Sequence, residues 1–190
     1  MWFALFWAKP LQPFWRRALR ERHWRNLQKV FPLTWVIDPE PVPHHAVIPW
    51  LEIRHWEELK RFSHKTRDFV LKVSGFSEQA WGSRGVYLGS DLPQSEWGAR
   101  LDHAIASFET NPFILQRFHK GDLFEQKYLD PTTKRIETMR GRVRLCPYYF
   151  VDRQSKIRLG GALATIVPAD KKLVHGMRDG ILVPAAIAPR

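Results

Sequence analysis

Lys72 is the residue of this sequence whose type and position suggest chemistry most directly. It follows the apolar run 69–71 and precedes a polar loop, 74–85, that contains three glycines and leads to a second apolar run, 86–88. Glycine lets backbone N–H groups turn and approach a ligand closely, and a lysine at the entrance of such a loop supplies a positive charge for a phosphate. The pattern predicts two strands joined by a loop that covers a nucleoside triphosphate. An ordinary hairpin turn after a half-buried lysine fits these residues equally well.

Two arginines in the second half of the chain are spaced to share one side of a strand. Arg142 and Arg144 alternate with apolar residues in the segment 142–146. Side chains two residues apart on a strand point to the same face, so we expect two guanidinium groups side by side. Cys146 ends this segment without a histidine or aspartate near it to activate a thiolate, and is predicted to be a small buried hydrophobe.

Composition limits the class of protein. The 190 residues allow one ordinary domain or two small lobes, and 44% apolar residues provide a core, which excludes a disordered chain. A single cysteine excludes an internal disulfide and agrees with a reducing compartment, so we expect a cytoplasmic protein. The apolar start, residues 1–8, is too short to span a bilayer, and no membrane span is predicted.

Half of the positive charge lies at the start of the chain. The net charge is +11, and the first thirty residues carry seven Lys or Arg against Glu21, which gives +6. Such a segment is typical of a solvated basic helix face, and also of a surface that binds nucleic acid or an anionic membrane. Trp15 and Trp24 lie beside arginines, and aromatic faces can stack on bases while arginines hold phosphates. A non-catalytic nucleic-acid-binding or scaffold protein is therefore the alternative function.

The elements that must hold these residues follow from the apolar pattern. Apolar spacing predicts a basic helix from Pro13 to Val30 and a second helix that contains Trp97, Leu101 and Phe108. Three prolines make 38–43 extended, and a short helix is predicted over 56–60. Predicted strands cover 33–37, 69–72, 86–88, 113–118, 142–146, 148–151, 158–167 and 180–184. This order predicts an α+β fold with mainly antiparallel sheets.

The order of these segments resembles the nucleotide-binding portion of ATP-grasp proteins, nearest to the circularly permuted members related to glutathionylspermidine synthases and peptide ligases. The resemblance covers residues 68–184, and it rests on five pieces: Lys72 at a strand end, the glycine-rich loop, the hinge-like segment 115–118, the Arg142-x-Arg144 strand, and 160–165 followed by His175-Gly176 and Asp179. It implies two α+β lobes, which would be 68–122 and 123–190, after an amino-terminal basic helix and proline-rich connection, 1–67.

The resemblance also implies roles for individual residues. ATP phosphates would contact Lys72 and lie beneath the glycine-rich loop, while the hinge would bind adenine through backbone groups, and Arg142 and Arg144 would face the triphosphate or an acyl phosphate. The implied cofactor-binding residues are Lys72, Ser74, Gly75, Ser77, Gly82, Ser83, Arg84, Gly85, Gln116, Arg117 and Phe118. The activity would be ATP-dependent ligation of a carboxylate substrate to an amine or thiol through an acyl phosphate.

The sequence departs from the family in two respects. ATP-grasp enzymes place two acidic or amide ligands for Mg²⁺ on neighbouring strands of the second lobe, whereas the candidates here, Asp152 and Asp179, are also typical turn residues. The aromatic-rich start, Trp2 to Trp15, has no place in the family pattern. We expect either that it is covered by a separate amino-terminal half or a partner subunit, which would make this chain the carboxy-terminal part of an enzyme, or that it folds back as core.

Overall fold

Two compact units, 1–119 and 120–190, make up the chain. The computed structural model describes residues 1–74, 77–80, 84–174 and 179–186. Both units contain a four-stranded antiparallel sheet, and all the α-helices of the described residues belong to the first unit. The predicted α+β class with mainly antiparallel sheets is therefore confirmed.

The first unit builds its sheet from strands that are distant in sequence. Its helices are α1 (Trp2–Trp7), α2 (Gln12–Ala18), α3 (Glu21–Val30) and α4 (Gln94–Ala106), with 3-10 turns at Lys9–Leu11, Trp56–Arg61, Glu78–Ala80 and Gly89–Asp91. Its strands are β1 (Thr34–Val36), β2 (Phe69–Val73), β3 (Val86–Leu88) and β4 (Phe113–Arg117). The sheet order is β1-β4-β2-β3, so β4 lies in the middle and joins β1, from the predicted amino-terminal segment, to β2.

The core of the first unit lies on one face of this sheet. Alternate residues of β2 and β4 point into it, as the period of two requires, and α4 covers them with Trp97, Leu101 and Ala104. The Trp97 indole N–H donates to the Leu59 carbonyl at 3.0 Å, which fastens α4 to the 3-10 turn Trp56–Arg61. Core positions on the strands are Trp35, Phe69, Leu71, Val73, Phe113 and Leu115.

The amino-terminal segment forms two helices where the sequence predicted one. Leu19 and Arg20 have extended backbone between α2 and α3. α3 begins with Glu21, a favourable residue near a helix N-terminus, and Glu21 also pairs with Arg25 at 2.8 Å. The break lets Trp15 and Trp24 turn inward. The ring centroids of Trp24 and Phe6 lie 4.6 Å apart, and the Trp15 indole N–H donates to the Leu5 carbonyl. Most of the aromatic start thus folds back onto the unit, although Trp2 and Phe14 stay exposed.

The second unit is a meander of four strands. Its strands, in spatial order, are β5 (Leu123–Leu129), β6 (Ile136–Val151), β7 (Ile157–Pro168) and β8 (Ile181–Ala185). β5 was not predicted, and β6 is much longer than the two segments expected, because it runs through Pro147. Pairing of β5 with β6 ends at Leu123 and Arg142, so the later part of β6 is an edge on that side. An edge strand tolerates proline, which has no N–H to donate.

No helix among the described residues is long and apolar enough to cross a membrane.

Candidate functional site

Lys72 lies on the sheet face opposite the core of the first unit. Phe69, Leu71 and Val73 take the core positions of β2, and the alternation therefore turns Lys72 to the other side. Its ammonium group donates to the Gln116 side-chain oxygen at 3.0 Å. The Gln116 amide nitrogen in turn donates to the Thr34 hydroxyl at 2.9 Å, and that hydroxyl donates to the Pro32 carbonyl at 2.9 Å. A chain of hydrogen bonds thus fixes the lysine across β2, β4 and β1.

The charge of Lys72 is not neutralised within the described part of the chain. None of the carboxylates described there forms an ion pair with it, and its hydrogen-bond partner, Gln116, is neutral. Burial lowers the pKa of Lys72 below the ordinary lysine value, because desolvation penalises the charged form. An anion bound at this face would offset the cost of burying the charge.

The glycine-containing loop begins and ends as predicted, at a two-stranded base. Lys72 pairs with Val86, and the Val73 N–H donates to the Gly85 carbonyl at 3.0 Å. Ser74 is buried, and its N–H donates to the Pro112 carbonyl at 2.8 Å. Ser77 accepts a bond from the Ala80 N–H at the 3-10 turn Glu78–Ala80, and Arg84 is exposed. Gly75, Gly82, Ser83 and His175 lie outside the described residues.

The predicted hinge, Gln116 to Phe118, ends the central strand of the first unit. Gln116 points toward Lys72, whereas Arg117 turns to the core side, where its guanidinium lies 5.3 Å from the Phe69 ring. The Arg117 N–H donates to Leu33, and the Phe118 N–H donates to Asp68 at 3.0 Å. The first unit ends at His119, so the predicted hinge lies directly before the boundary between the two units.

Arg142 and Arg144 share a face of β6, but their surroundings differ. Arg142 is buried and donates through Nε to the Ala169 carbonyl at 3.1 Å and through a terminal nitrogen to the Gly121 carbonyl. Arg142 therefore links the segment before β5 to the segment after β7. Arg144 is exposed and stands opposite Thr165, a buried threonine whose hydroxyl has no hydrogen-bond partner in the described part of the chain. Arg144 is the arginine of the pair that is free to meet a ligand from solvent.

Asp152 and Asp179 lie at opposite ends of β7. Asp152 caps the β6–β7 turn, where it accepts from the N–H groups of Gln154 and Lys156 at 2.9 Å and from Arg158 Nε at 2.9 Å. Asp179 precedes Ile181, which pairs with Ile166 near the other end of the strand. The nine steps from Ile157 to Ile166 span roughly 30 Å at the usual rise per strand residue. One magnesium ion therefore cannot bind both carboxylates.

The described residues offer no protein-built metal centre. They contain no group of three or more His, Cys, Asp and Glu side chains that could hold an ion. Asp152 is already occupied by three donors, and these donors lower its pKa, with the backbone N–H of Lys156 as the largest cause. The residues predicted to hold Mg²⁺ thus do not fit a shared site, and no step of the chemistry below is assigned to the metal.

Stacking of nucleic-acid bases on the amino-terminal tryptophans has little structural support. Trp24 is only 2% exposed, and the Trp15 indole N–H is bonded within the unit. The basic side chains remain on the surface, at Arg16, Arg17, Arg20, Arg22, Arg25 and Lys29. Exposure of these cations fits both interpretations of this segment, a solvated basic face and a surface that binds a polyanion.

Two residues of this region escaped the sequence analysis. Thr34 is almost fully buried and anchors Gln116, a residue 82 positions away, so no local spacing could have paired them. Arg67 is 3% exposed, and its Nε and Nη1 have no hydrogen-bond partner among the described residues. Buried polar atoms that lack a hydrogen bond are costly and unusual. Arg67 lies two residues before Phe69, the first residue of β2, with Asp68 between them.

Comparison with known proteins adds no relative: no family model, curated protein or solved structure matches the chain.

Proposed function

We propose that this chain is the ATP-binding part of an ATP-grasp protein and that Lys72 is its principal phosphate-binding side chain. The observation that carries the proposal is the environment of Lys72: a half-buried cation, held in place by the neutral Gln116, with no carboxylate partner among the described residues. A desolvated and positioned ammonium group binds a phosphate oxygen more strongly than a freely hydrated surface lysine does.

The arrangement around Lys72 supports a nucleotide rather than a simple anion. The loop that would cover the phosphates leaves the sheet after Val73, one residue beyond Lys72, and returns at Val86, the residue that pairs with Lys72. The hinge that would bind adenine lies on the neighbouring strand, β4, and its first residue, Gln116, touches the lysine. Phosphate and base contacts would thus come from adjacent strands of one sheet.

The chemistry that we propose is ligation through an acyl phosphate. A carboxylate oxygen of the substrate attacks the γ-phosphorus of ATP, and the bond to the β–γ bridging oxygen breaks, which releases ADP. An amine or thiol then attacks the acyl carbon, and phosphate leaves with the original carboxylate oxygen. The protein supplies position and positive charge rather than a nucleophile. Of the two arginines predicted to be catalytic, Arg144 is the one that we assign to ligand binding, because it is exposed beside Thr165. Arg142 instead donates to the Ala169 and Gly121 carbonyls and stabilises the second unit.

Magnesium would come with the nucleotide. Mg²⁺ keeps several waters and binds substrate phosphates together with one or two carboxylates, so a dedicated protein cage is not required. In the proposed complex, phosphate oxygens would supply most of its ligands.

Calorimetric titration with Mg-ATP tests the proposal. We expect saturable binding to the full-length chain, and a loss of about 1.5 to 3 kcal/mol, or about 10- to 150-fold in affinity, when Lys72→Met removes one charge-assisted hydrogen bond. Lys65→Met is the matched control, because Lys65 is an exposed lysine outside the sheet. The absence of heat at millimolar nucleotide from folded protein would exclude ATP binding by this chain. Equal losses in both variants would remove Lys72 from its assigned role.

Isotope transfer separates ligation from simple nucleotide binding. A carboxylate substrate labelled with ¹⁸O should pass one labelled oxygen to the phosphate released from ATP, because the acyl phosphate is cleaved at carbon. ATP turnover that leaves the label in the carboxylate would exclude the acyl-phosphate route while leaving nucleotide binding intact.

A further inference from the structure

The β6–β7 hairpin extends beyond its neighbours in the second sheet. β5 pairs with β6 only as far as Arg142, and β8 pairs with β7 only as far as Ala162. The two strands continue as a pair from there to the turn after Val151, which pairs with Ile157. We call residues 143–161 the arm. Large apolar side chains are uncommon on such a two-stranded ribbon, because both of its faces are open to solvent.

One face of the arm is apolar along its whole length. Residues directly opposite each other in a pair share a face, and the register places Tyr149 with Leu159 and Val151 with Ile157. Gly160 is the extra residue at the irregularity beside Tyr149, and Leu145 lies farther along the same face of β6. The members of this apolar strip are Leu145, Tyr149, Val151, Ile157 and Leu159, and each is 48% to 72% exposed.

The same face continues into an apolar groove. The groove has a volume of about 470 Å³, and Leu145 belongs both to it and to the apolar strip. Its other apolar lining includes Phe124, Val143, Ala164, Ile166 and Val183. Of the lining residues, Asp122 carries a charge. The apolar strip and the apolar groove thus lie side by side on one face of one sheet.

This face is the opposite of the face that carries the two arginines. Arg142 and Arg144 alternate with Val143 and Leu145 along β6, so they point to the other side. Between Gly141 and Val151, the positions of β6 on the apolar face hold no charged residue. Two copies of a chain with a net charge of +11 repel each other over most of their surfaces, but like charges would not meet here.

Addition of a partner strand to the edge of the arm is disfavoured. Pro147 sits in the free edge of β6 and has no N–H to offer, which interrupts the row of backbone donors that edge pairing needs. The arm must therefore be covered by packing on its face.

We propose that the apolar face of the second sheet packs against the same face of a second copy of this chain. A two-fold axis would place the strip of each copy over the groove of the other, so that one contact satisfies both surfaces, as an isologous interface requires. The exposed area of the strip and Phe124 is roughly 700 Å² per chain if each side chain presents about half to three quarters of its full area. This is close to the 800 Å² or so that each partner buries in a stable complex. Two sheets packed in this way form a sandwich.

The molar mass of the full-length chain in solution tests this proposal. Sedimentation equilibrium between about 1 and 50 µM should give a dimer for the wild type. Val151→Arg and Ile157→Arg each introduce a charge into the apolar strip and should give monomers at the same concentrations. Leu182→Arg is the matched control, because Leu182 is 59% exposed and pairs with Thr165 on the arginine-bearing face, so this variant should remain a dimer.

Circular dichroism and thermal melting establish that each variant is folded, which the exposed positions of Val151 and Ile157 favour. A monomeric wild type across this range would overturn the proposal. A dimer that survives both strip substitutions, or one that Leu182→Arg disrupts, would overturn it as well, because the contact would then lie elsewhere. These outcomes do not depend on nucleotide binding.

Discussion

In the first unit, alternate residues of β2 and β4 point into a core that α4 covers. In the second unit, alternate residues of β6 also lie on one face, but those of the arm are exposed and form the apolar strip. The first unit therefore contains the partners of its own apolar residues. The second unit lacks a helix within its described residues and leaves large apolar side chains of its sheet exposed. We infer that the stability of the first unit is internal, and that the second unit gains part of its stability from another copy.

The largest expected effect is the loss of Trp97, the centre of the first core. Trp97→Ala should cost about 3 to 5 kcal/mol of the free energy of unfolding of the first unit, since it removes a fully buried indole and its hydrogen bond to Leu59. Urea denaturation followed by circular dichroism measures this. Trp2→Ala, at a position 75% exposed, should change the value by less than about 0.5 kcal/mol. Similar effects of both substitutions would contradict the idea of a self-contained core.

A smaller loss is expected from a glycine where the second sheet is densely packed. A Cβ at Gly141 would clash with the Val167 carbonyl oxygen and lie 2.8 Å from the Ile166 Cγ2 atom. Gly141→Ala should therefore cost about 1 to 3 kcal/mol. A Cβ at Gly161 meets nothing within 4 Å, so Gly161→Ala should be nearly neutral. If both glycines tolerate alanine equally in a thermal melt, this part of β6 and β7 is less tightly packed than the account requires.

Lys72→Met should alter stability by less than about 1 kcal/mol at pH 7, because the lost hydrogen bond to Gln116 and the relieved desolvation of the charge oppose each other. The sign of the pH dependence follows from the lowered pKa. Below that pKa the lysine is charged in both states and the desolvation penalty is complete; as the pH rises toward the ordinary value of 10.5, the penalty disappears and the wild type gains stability.

Unfolding curves at pH 7 and in the alkaline range should thus show that the free energy of unfolding rises with pH in the wild type relative to Lys72→Met. A parallel pH dependence of the two proteins would show that Lys72 is not desolvated.

The smallest expected effect concerns the tip of the arm. Asp152→Asn removes the charge that accepts from Lys156, Gln154 and Arg158, so amide hydrogen exchange over 153–158 should speed up while the melting temperature stays constant. In the wild type, the lowered pKa of Asp152 means that the turn is stabilised above the ordinary carboxyl pKa and loosens as the pH falls through the lowered value. Asp170→Asn, which alters a carboxylate 3.9 Å from Lys171, should leave this exchange unchanged.

How much of the fold the sequence could predict also differs between the units. β2, β4 and α4 were predictable because their apolar residues repeat at the period of the element and all face one core. β5 was missed because Leu123 to Leu129 is mostly exposed, so burial imposes no clear alternation on it. The break between α2 and α3 was missed because it is set by the packing of Trp15 and Trp24 near Phe6, which the helical spacing of the segment does not reveal.

The candidate site shows the same limit. A strand, a lysine and a glycine-containing loop are contiguous, so Lys72 and its loop could be predicted from the sequence. The link from Gln116 to Thr34 depends on β4 lying between β1 and β2, which is a property of the sheet order rather than of any local pattern. The predicted pair Asp152 and Asp179 failed as one magnesium site for the same reason, because adjacency in a list of strands does not reveal which ends of the strands meet.

A crystal structure of this chain with Mg²⁺ and a non-hydrolysable ATP analogue would show whether Lys72 binds the nucleotide. We expect a phosphate oxygen within about 3.2 Å of the Lys72 Nζ atom and adenine against the backbone of 116–118. A nucleotide bound elsewhere, with Gln116 as the sole polar contact of Lys72, would exclude Lys72 as the phosphate-binding residue.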